Sequence, residues 1–547
     1  MPDKRIINPV LRGFHPDPSI CRVGRDFYIA TSTFEWYPGV RIHHSRDLRE
    51  WRLIARPLDS DRLLNLLGVP DSCGVWAPCL TWADGVFWLA YTVVNRFNGN
   101  FKDTHNYLTT APEITGPWSD PVYLNSSGFD PSLYHAEDGR KWFLNMVWDH
   151  RPGRGFFHGI AMQEYDARQQ RLSGKPERIF TGTELGYTEG PHIHRFGDFH
   201  YLLTAEGGTG YGHAVTVARS PSPHGPYEPD PNGPLLTTRD RPDWPLQRAG
   251  HGDLVQLENG GIYIVFLCSR RSATLPHSPL GRETAIQPVH LTADGWLRLP
   301  WSKSRDSRDR LPRMEIAAPR LSGAGERPGA AKAASEIEHD DFDGDTLDPV
   351  YQWLRTPWPE RFLSLSERPG HLRLYGMESP GSLYTQALIA RRQTHLRFTA
   401  ETAVDFQPAN FQQIAGLIVY YNASKFHYLC ISHDEALGRH LGIMSCQANF
   451  DLDASFPIEE AKIALPGASV VGLRLEIDHA ELRFSWSIGG EWHAIPVTLD
   501  MRLLTDQAGK TEGEQFTGTF VGLCANDVGG GRAHADFDYF RIRGVDV

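Results

Sequence analysis

The chain has 547 residues, 40% hydrophobic and 22% charged, with 52 glycines, 39 prolines and an aromatic share of 11%. That mix favours short strands joined by many turns, and it supplies enough apolar residues for two to four domain cores. A net charge of −11 with no basic tract argues against nucleic acid as a partner, and no apolar run approaches the roughly 18 residues of a membrane span.

The N-terminal MPDKRIINPV carries a Lys and an Arg but no apolar region behind them. It therefore does not read as a signal peptide, and a cytoplasmic location is expected. The seven cysteines are scattered, with Cys73 and Cys79 the nearest pair. Neither zinc spacing nor a disulfide framework emerges, so buried thiols in a reducing compartment are expected.

Residues 15–20 read HPDPSI, an acid between two prolines just ahead of a strand-like run. Asp-Pro is a common turn pair, and alone it implies only a loop. It opens, however, a unit that recurs five times: DPSICRVGRDFYIATST, APCLTWADGVFWLAYTV, DPSLYHAEDGRKWFLNMV, EGPHIHRFGDFHYLLTAE and HGDLVQLENGGIYIVFLCS. Each holds a turn signal (GRD, ADG, EDG, FGD, ENGG) between alternating strands. The second strand carries an aromatic at a nearly constant offset: Tyr28, Trp88, Trp142, Tyr201 and Tyr263. Between the units lie echoes of outer strand pairs, such as HHSRDLREWRLIARPL and TTAPEITGPWSDPVYL. Strand-rich units repeated at this spacing predict an all-β, five-bladed β-propeller over residues 1–318.

In a propeller the innermost strands begin beside the central channel. The first residues of the five units, Asp17, Ala77, Asp130, Glu189 and His251, are therefore expected to converge on the axis. Like charges held that close cost stability and commonly mark a functional site. Paired carboxyls in different environments are what hydrolysis of a glycosidic bond needs. One is protonated to release the leaving group, and the other is ionised to activate water or attack carbon. Phe34, Trp36 and Trp76 lie near the axial ends of their units and suit the apolar faces of sugars, although packing between blades would also account for them.

Residues 322–336, SGAGERPGAAKAASE, have the composition of a linker, placed at 319–338. From there to residue 547 alternating runs such as THLRFTAETAVDF and QIAGLIVYYN predict a second domain, a β-sandwich of jelly-roll, concanavalin-like kind over 339–547. The acidic stretches DDFDGD (340–345) and ADFDYF (around Asp536 and Asp538) read either as solvated turn acids or as a structural calcium site.

With these stretches in view, the whole chain resembles the two-domain β-xylosidases of glycoside hydrolase family 43. The resemblance is carried by NPVLRGFHPDPSI, GVWAPCL, FDPSLYHAEDGRKWFLN, YTEGPHI, AGHGDLVQ, LGRETAIQPV, FTGTFVGL and ADFDYFR. It implies that Asp17 is the general base activating water, Glu189 the general acid, and Asp130 the acid that tunes and orients Glu189. It implies that Arg282 directs hydrogen bonds into the non-reducing-end subsite, and that Phe34 and Trp76 are pocket walls. It also implies that His251 is an axial histidine, near a divalent cation in some relatives, and that Phe516 belongs to a loop of the second domain closing the pocket. No cofactor is required for the chemistry. The metal question stays open, since one histidine is not a ligand set.

The activity implied is inverting and exo-acting, releasing D-xylose from the non-reducing end of short β-1,4-xylo-oligosaccharides by an enzyme that self-associates as a dimer or tetramer. The rivals are a mainly α-L-arabinofuranosidase activity, a retaining mechanism, and a non-catalytic carbohydrate-binding propeller. For the second domain the rival to a lid is a sugar-binding module.

Overall fold

The computed structural model describes residues 5–272, 275, 277–302, 307–321, 338–447, 454–455, 462–465, 467, 469–508 and 515–545. The stretch read as a linker falls mostly outside them. Short 3-10 turns are the only helical elements among the described residues, and none is long and apolar enough to cross a membrane.

Residues 19–298 form five antiparallel blades. Blade 1 runs Ser19–Val23, Asp26–Thr31, Arg41–Ser45 and Arg52–Ala55; blade 2 runs Gly74–Ala83, Val86–Arg96, Asp103–Ala111 and Val122–Asn125. Blade 3 runs Ser132–His135, Lys141–Trp148, Phe157–Asp166 and Arg171–Phe180. Blade 4 comprises Glu189–Phe196, Phe199–Glu206, Ala214–Ser220 and the short Glu228–Pro229, with Leu236–Thr237 also on its third strand. Blade 5 comprises Leu246–Gln256, Ile262–Arg270, Glu283–Leu291 and Leu297–Arg298. The five inner strands touch one another in ring order, blade 5 meeting blade 1. Outside the blades, Arg5–Ile7 pairs with Glu315–Ala317, so the two ends of the ring are tied by main-chain bonds through the buried pair Ile6 and Ile316.

The repeated turn and aromatic each have a physical role. All five inner hairpins turn on a glycine with positive φ (Gly24, Gly85, Gly139, Gly197, Gly260), the conformation a tight hairpin needs and side chains resist. The five aromatics occupy one register, opposite Cys21, Thr81, Tyr134, His194 and Val255. From there each reaches the next blade. Tyr28 meets Phe87 at 5.4 Å, Trp88 meets Tyr165 at 6.3 Å, and Trp142 meets His224 at 4.6 Å. The Tyr201 hydroxyl donates to Gly295 O, while Tyr263 shares an apolar cluster with Phe27 and Ile29 of blade 1. The repeat is thus the adhesive between blades.

The second domain is two facing antiparallel sheets. One is built around Arg397–Asp405, His534–Val545 and Val471–Asp478, and the other around Gln413–Asn422, Phe520–Asp527 and Ala387–Arg392. Strict alternation in Arg397–Asp405 buries every second residue, including Phe398, Ala400 and Val404, between the sheets. The second sheet does not stop at the domain boundary. Trp36–Tyr37, from the loop of blade 1, pairs with Gln352–Leu354 as its outermost strand. Trp36 is fully buried and stacks on Phe520 at 3.7 Å, so it serves this seam and does not line the pocket.

All seven cysteines are buried and none forms a disulfide. The acids considered for calcium do not gather. Asp536 is held by Arg373 at 2.7 Å and Arg368 at 2.9 Å, the half-exposed Asp538 lies 3.9 Å from His371 Nε2, and Asp340 accepts the Phe342 amide. Among the described residues no group of three His, Cys, Asp or Glu side chains is placed to hold a metal ion.

Candidate active site

Each inner strand carries a β-bulge where it enters the ring. Two residues there face one on the neighbouring strand, for example between Trp76 and Cys79 and between Glu189 and His192, with a variant in blade 5 between Gly250 and Gly252. The bulged residue has positive φ in every blade: Asp17, Ala77, Asp130, Gly190 and His251. A bulge leaves one position without a ladder bond, so proline is tolerated next to it, which explains Pro18, Pro78, Pro131 and Pro191. The acid between prolines in HPDPSI is the residue that the bulge re-aims.

This register corrects one equivalence expected from the sequence. Glu189 is not the counterpart of Asp17. It lies one residue earlier, at the position of Trp76 and Phe129, and Gly190 takes the bulge. The reason is steric: a Cβ on Gly190 would stand 2.9 Å from His251 Nε2. Blade 4 therefore keeps glycine at the bulge and presents its acid from the neighbouring position.

Asp17, Asp130, Glu189 and His251 are each only 6% exposed, yet all four line one cavity of about 440 Å³. Asp17 Oδ2 accepts from Ser32 Oγ at 2.6 Å, and Ser32 in turn accepts from the Ala77 amide, which fixes the carboxylate between blades 1 and 2. Asp17 Oδ1 lies 3.3 Å from Arg282 NH1 and 3.6 Å from His251 Nδ1. Asp130 Oδ2 accepts at 3.0 Å from the Gly190 amide, the peptide directly after Glu189. Burial pushes the Asp130 carboxyl up to about 6; His251 and Arg282 oppose this, and the charge of Asp17 adds to it.

Aromatic rings surround the acids. Phe34 and Trp76 are 5.6 Å apart, brought together because Phe34 and Val75 form a main-chain bridge between blades 1 and 2. Phe516, from the sandwich, packs 5.5 Å from Trp76 and 6.2 Å from Phe34. Its amide donates to Ser72 Oγ and its carbonyl accepts from Arg282 NH2 at 3.2 Å. Arg282 lies over both Phe34 and Phe516, at 5.4 and 5.2 Å. Of the residues singled out in the sequence, the three acids, Phe34, Trp76, His251, Arg282 and Phe516 thus line the same cavity, whereas Trp36 and Ala77 do not.

Sequence reading missed the outer wall. Phe129 packs edge-on against Trp76 at 5.5 Å, and it was available from the repeat, as the residue before Asp130. Phe97, Lys102, Trp148, Phe157 and Tyr187 also line the cavity, but they sit in or beside connections that do not repeat. Lys102 Nζ lies 4.2 Å over the Trp148 ring and donates to Phe97 O, so the ammonium buttresses the rim.

Three desolvated carboxyls on separate blades, a buried guanidinium and a ring-lined cavity define a glycosidase site. Comparison with known proteins agrees. The profile of Glycosyl hydrolases family 43 matches residues 6–297, and that of the Beta xylosidase C-terminal Concanavalin A-like domain matches 339–543. The chain is 47% identical over 549 residues to Xylosidase/arabinosidase 43B of Humicola insolens, covering 100% of this chain and 98% of that one. It is 46% identical to a Beta-xylosidase of Bacillus subtilis (strain 168), over 98% of this chain and 99% of that one. The crystal structure of xylan beta-1,4-xylosidase from Bacillus Halodurans C-125 superposes with a TM-score of 0.92 at 46% identity, covering 98% of this chain and 100% of that chain. The chain belongs to glycosyl hydrolase family 43 and is a glycosidase built as a five-bladed propeller with a concanavalin-like partner domain.

Proposed function

We propose that this protein is an exo-acting, inverting β-xylosidase that releases D-xylose from the non-reducing end of short β-1,4-xylo-oligosaccharides. The observation carrying the reading is the closure of the acid-bearing cavity by Phe516, a residue of the other domain, whose main chain is bonded to Arg282 and Ser72. A cavity walled on that side takes a chain end and keeps bulk solvent, other than the attacking water, away from the reacting bond.

In this reading Asp17 accepts the proton of the attacking water, with Ser32 and Arg282 holding its carboxylate in place. Glu189 gives its proton to the departing glycosidic oxygen. Asp130, bound to the amide next to Glu189, keeps the proton on that acid by like-charge repulsion once it is itself ionised. Phe34 and Trp76 stack on the sugar, and the guanidinium of Arg282 donates to its hydroxyls. The name of the Humicola insolens relative, Xylosidase/arabinosidase, supports a side activity on α-L-arabinofuranosides.

A proton NMR time course on xylobiose tests the reading. Early appearance of α-xylose, before mutarotation, is expected. Early β-xylose would mean a covalent intermediate and overturn the role of Asp17. Faster turnover of aryl α-L-arabinofuranoside than of aryl β-xyloside would reverse the order of the two activities.

A further inference from the structure

A second, smaller cavity of about 130 Å³ lies at the seam between propeller and sandwich. Its charged lining is entirely cationic or imidazole: Arg12, His15, Arg41 and His43 from the propeller, and Arg391 and Arg392 from the sandwich. Arg41 and His43 are alternate residues of one blade 1 strand and so share a face. No carboxylate among the described residues lines it, although the protein as a whole carries a net charge of −11.

Buried guanidiniums normally come with a carboxylate partner, because an unpaired charge taken out of water is strongly destabilising. Here Arg41 and Arg392 are each 5% exposed. Arg41 makes one long contact, 3.5 Å to Val350 O, and its Nε meets no hydrogen-bond partner among the described residues. Arg392 donates from Nε to Phe14 O at 2.6 Å, while its NH2 has no such partner. The rings of His15 and His43 pack edge-on at 4.9 Å, with His15 Nε2 and His43 Nδ1 also unpartnered among the described residues. The cations oppose one another. Burial, then Arg56 and Arg391, push Arg41 down to about 9, with Asp348 opposing. Arg392 and both histidines are lowered too.

We propose that this cavity is a binding site for a small free oxyanion carrying two negative charges, of the phosphate or sulfate class, which joins the two domains. Arg41 and Arg392 supply the charge-assisted donors, planar forks that match tetrahedral oxyanions. The ion would also bear on the catalytic segment, because His15 stands two residues before Asp17. The His15 carbonyl accepts from Thr284 Oγ1 at 2.6 Å, on the strand that follows Arg282.

Isothermal titration of the full chain with sodium phosphate, sodium sulfate and, at equal ionic strength, sodium chloride tests this. One saturable site per chain is expected for phosphate and sulfate, at least tenfold tighter than for chloride. Phenyl phosphate should bind at least tenfold more weakly than inorganic phosphate; equal affinity would overturn the assignment to a free ion. Arg41→Met, which keeps the volume and removes a charge, should weaken phosphate binding at least tenfold. The half-buried Arg12→Gln repeats that comparison with less risk to folding and should weaken binding at least threefold. Arg282→Met should leave the affinity unchanged. Binding no stronger than chloride, binding unaltered in both cavity variants, or binding lost in Arg282→Met would each overturn the proposal, the last by moving the ion into the catalytic pocket.

Discussion

The floor and the wall of the catalytic pocket are built in different ways. The floor is one device used five times, a β-bulge at the entry of each inner strand, and the side chain placed there changes from blade to blade: Asp17, Ala77, Asp130, Gly190, His251. The wall is assembled from unrelated pieces, namely the loop of blade 1, the connections of blades 2 to 4, and one segment of the sandwich. Position on a rigid strand fixes a carboxyl to within the tolerance proton transfer demands, whereas loops fix the shape that selects a substrate. Chemistry should therefore fail when the floor is altered, and affinity when the wall is.

The largest effect is expected from the floor. Asp17→Asn and Glu189→Gln should each lower kcat by roughly 10²- to 10⁴-fold, the usual worth of a positioned acid or base, with an unchanged circular dichroism spectrum. A loss of less than tenfold in either would place the reacting groups elsewhere.

Asp130→Asn sharpens the same contrast through pH. Asp130 titrates at about 6 in the folded protein, so above that pH its charge supports the protonated form of Glu189. Removing it should move the alkaline limb of the kcat/KM profile to lower pH, while KM changes little. An unmoved alkaline limb would reduce Asp130 to a bond with the Gly190 amide.

On the wall, Phe516→Ala should raise KM by up to about tenfold with a smaller change in kcat, since one ring contact is worth about 0.5–1.5 kcal/mol. A drop confined to kcat would instead make Phe516 part of the reacting geometry.

The smallest effect concerns the seam behind the wall. Glu35, fully buried, accepts from the Ser72 amide and is pushed up to about 8 by burial and by the neighbouring Asp71, which is itself paired with Arg355. A carboxyl raised on folding gives stability that is whole below its unfolded value near 4 and is lost as pH rises through about 8. The Tm of the natural protein should thus fall more between pH 6 and 9 than that of Glu35→Gln, whose side chain does not ionise. Parallel curves would remove Glu35 as the cause.

How much was readable in the sequence follows the same division. The five hairpins were legible because a glycine turn and an aromatic recur at fixed offsets, and each has one physical reason to be there. Asp17 and Asp130 were legible as the first residues of repeated units that open on DPS. Glu189 was found, but in a register one residue off, because the collision that forces Gly190 involves His251 from another blade and leaves no local trace. The role of Trp36 was misread for a related reason. Its aromatic neighbours Phe34 and Trp76 do face the pocket, while its partner Phe520 lies nearly five hundred residues away in sequence. Phe97, Lys102, Trp148 and Tyr187 carried no periodic signal at all. Shape made by non-repeating loops is settled only by the folded chain.

The strand Trp36–Tyr37, paired at the edge of the sandwich sheet, bears on modularity. By composition the chain divides at its Gly- and Ala-rich stretch, and a genetic engineer would cut there. By hydrogen bonding, the second domain's sheet ends inside the first blade, with its last strand supplied by residues that precede the cut by some three hundred positions. A propeller expressed alone would expose that strand and the face of Trp36, an open edge of the kind that recruits other chains. In shuffling domains between members of this family, the unit that travels with the sandwich therefore has to include the blade 1 loop, and the crossover belongs upstream and downstream of that loop as well as in the linker.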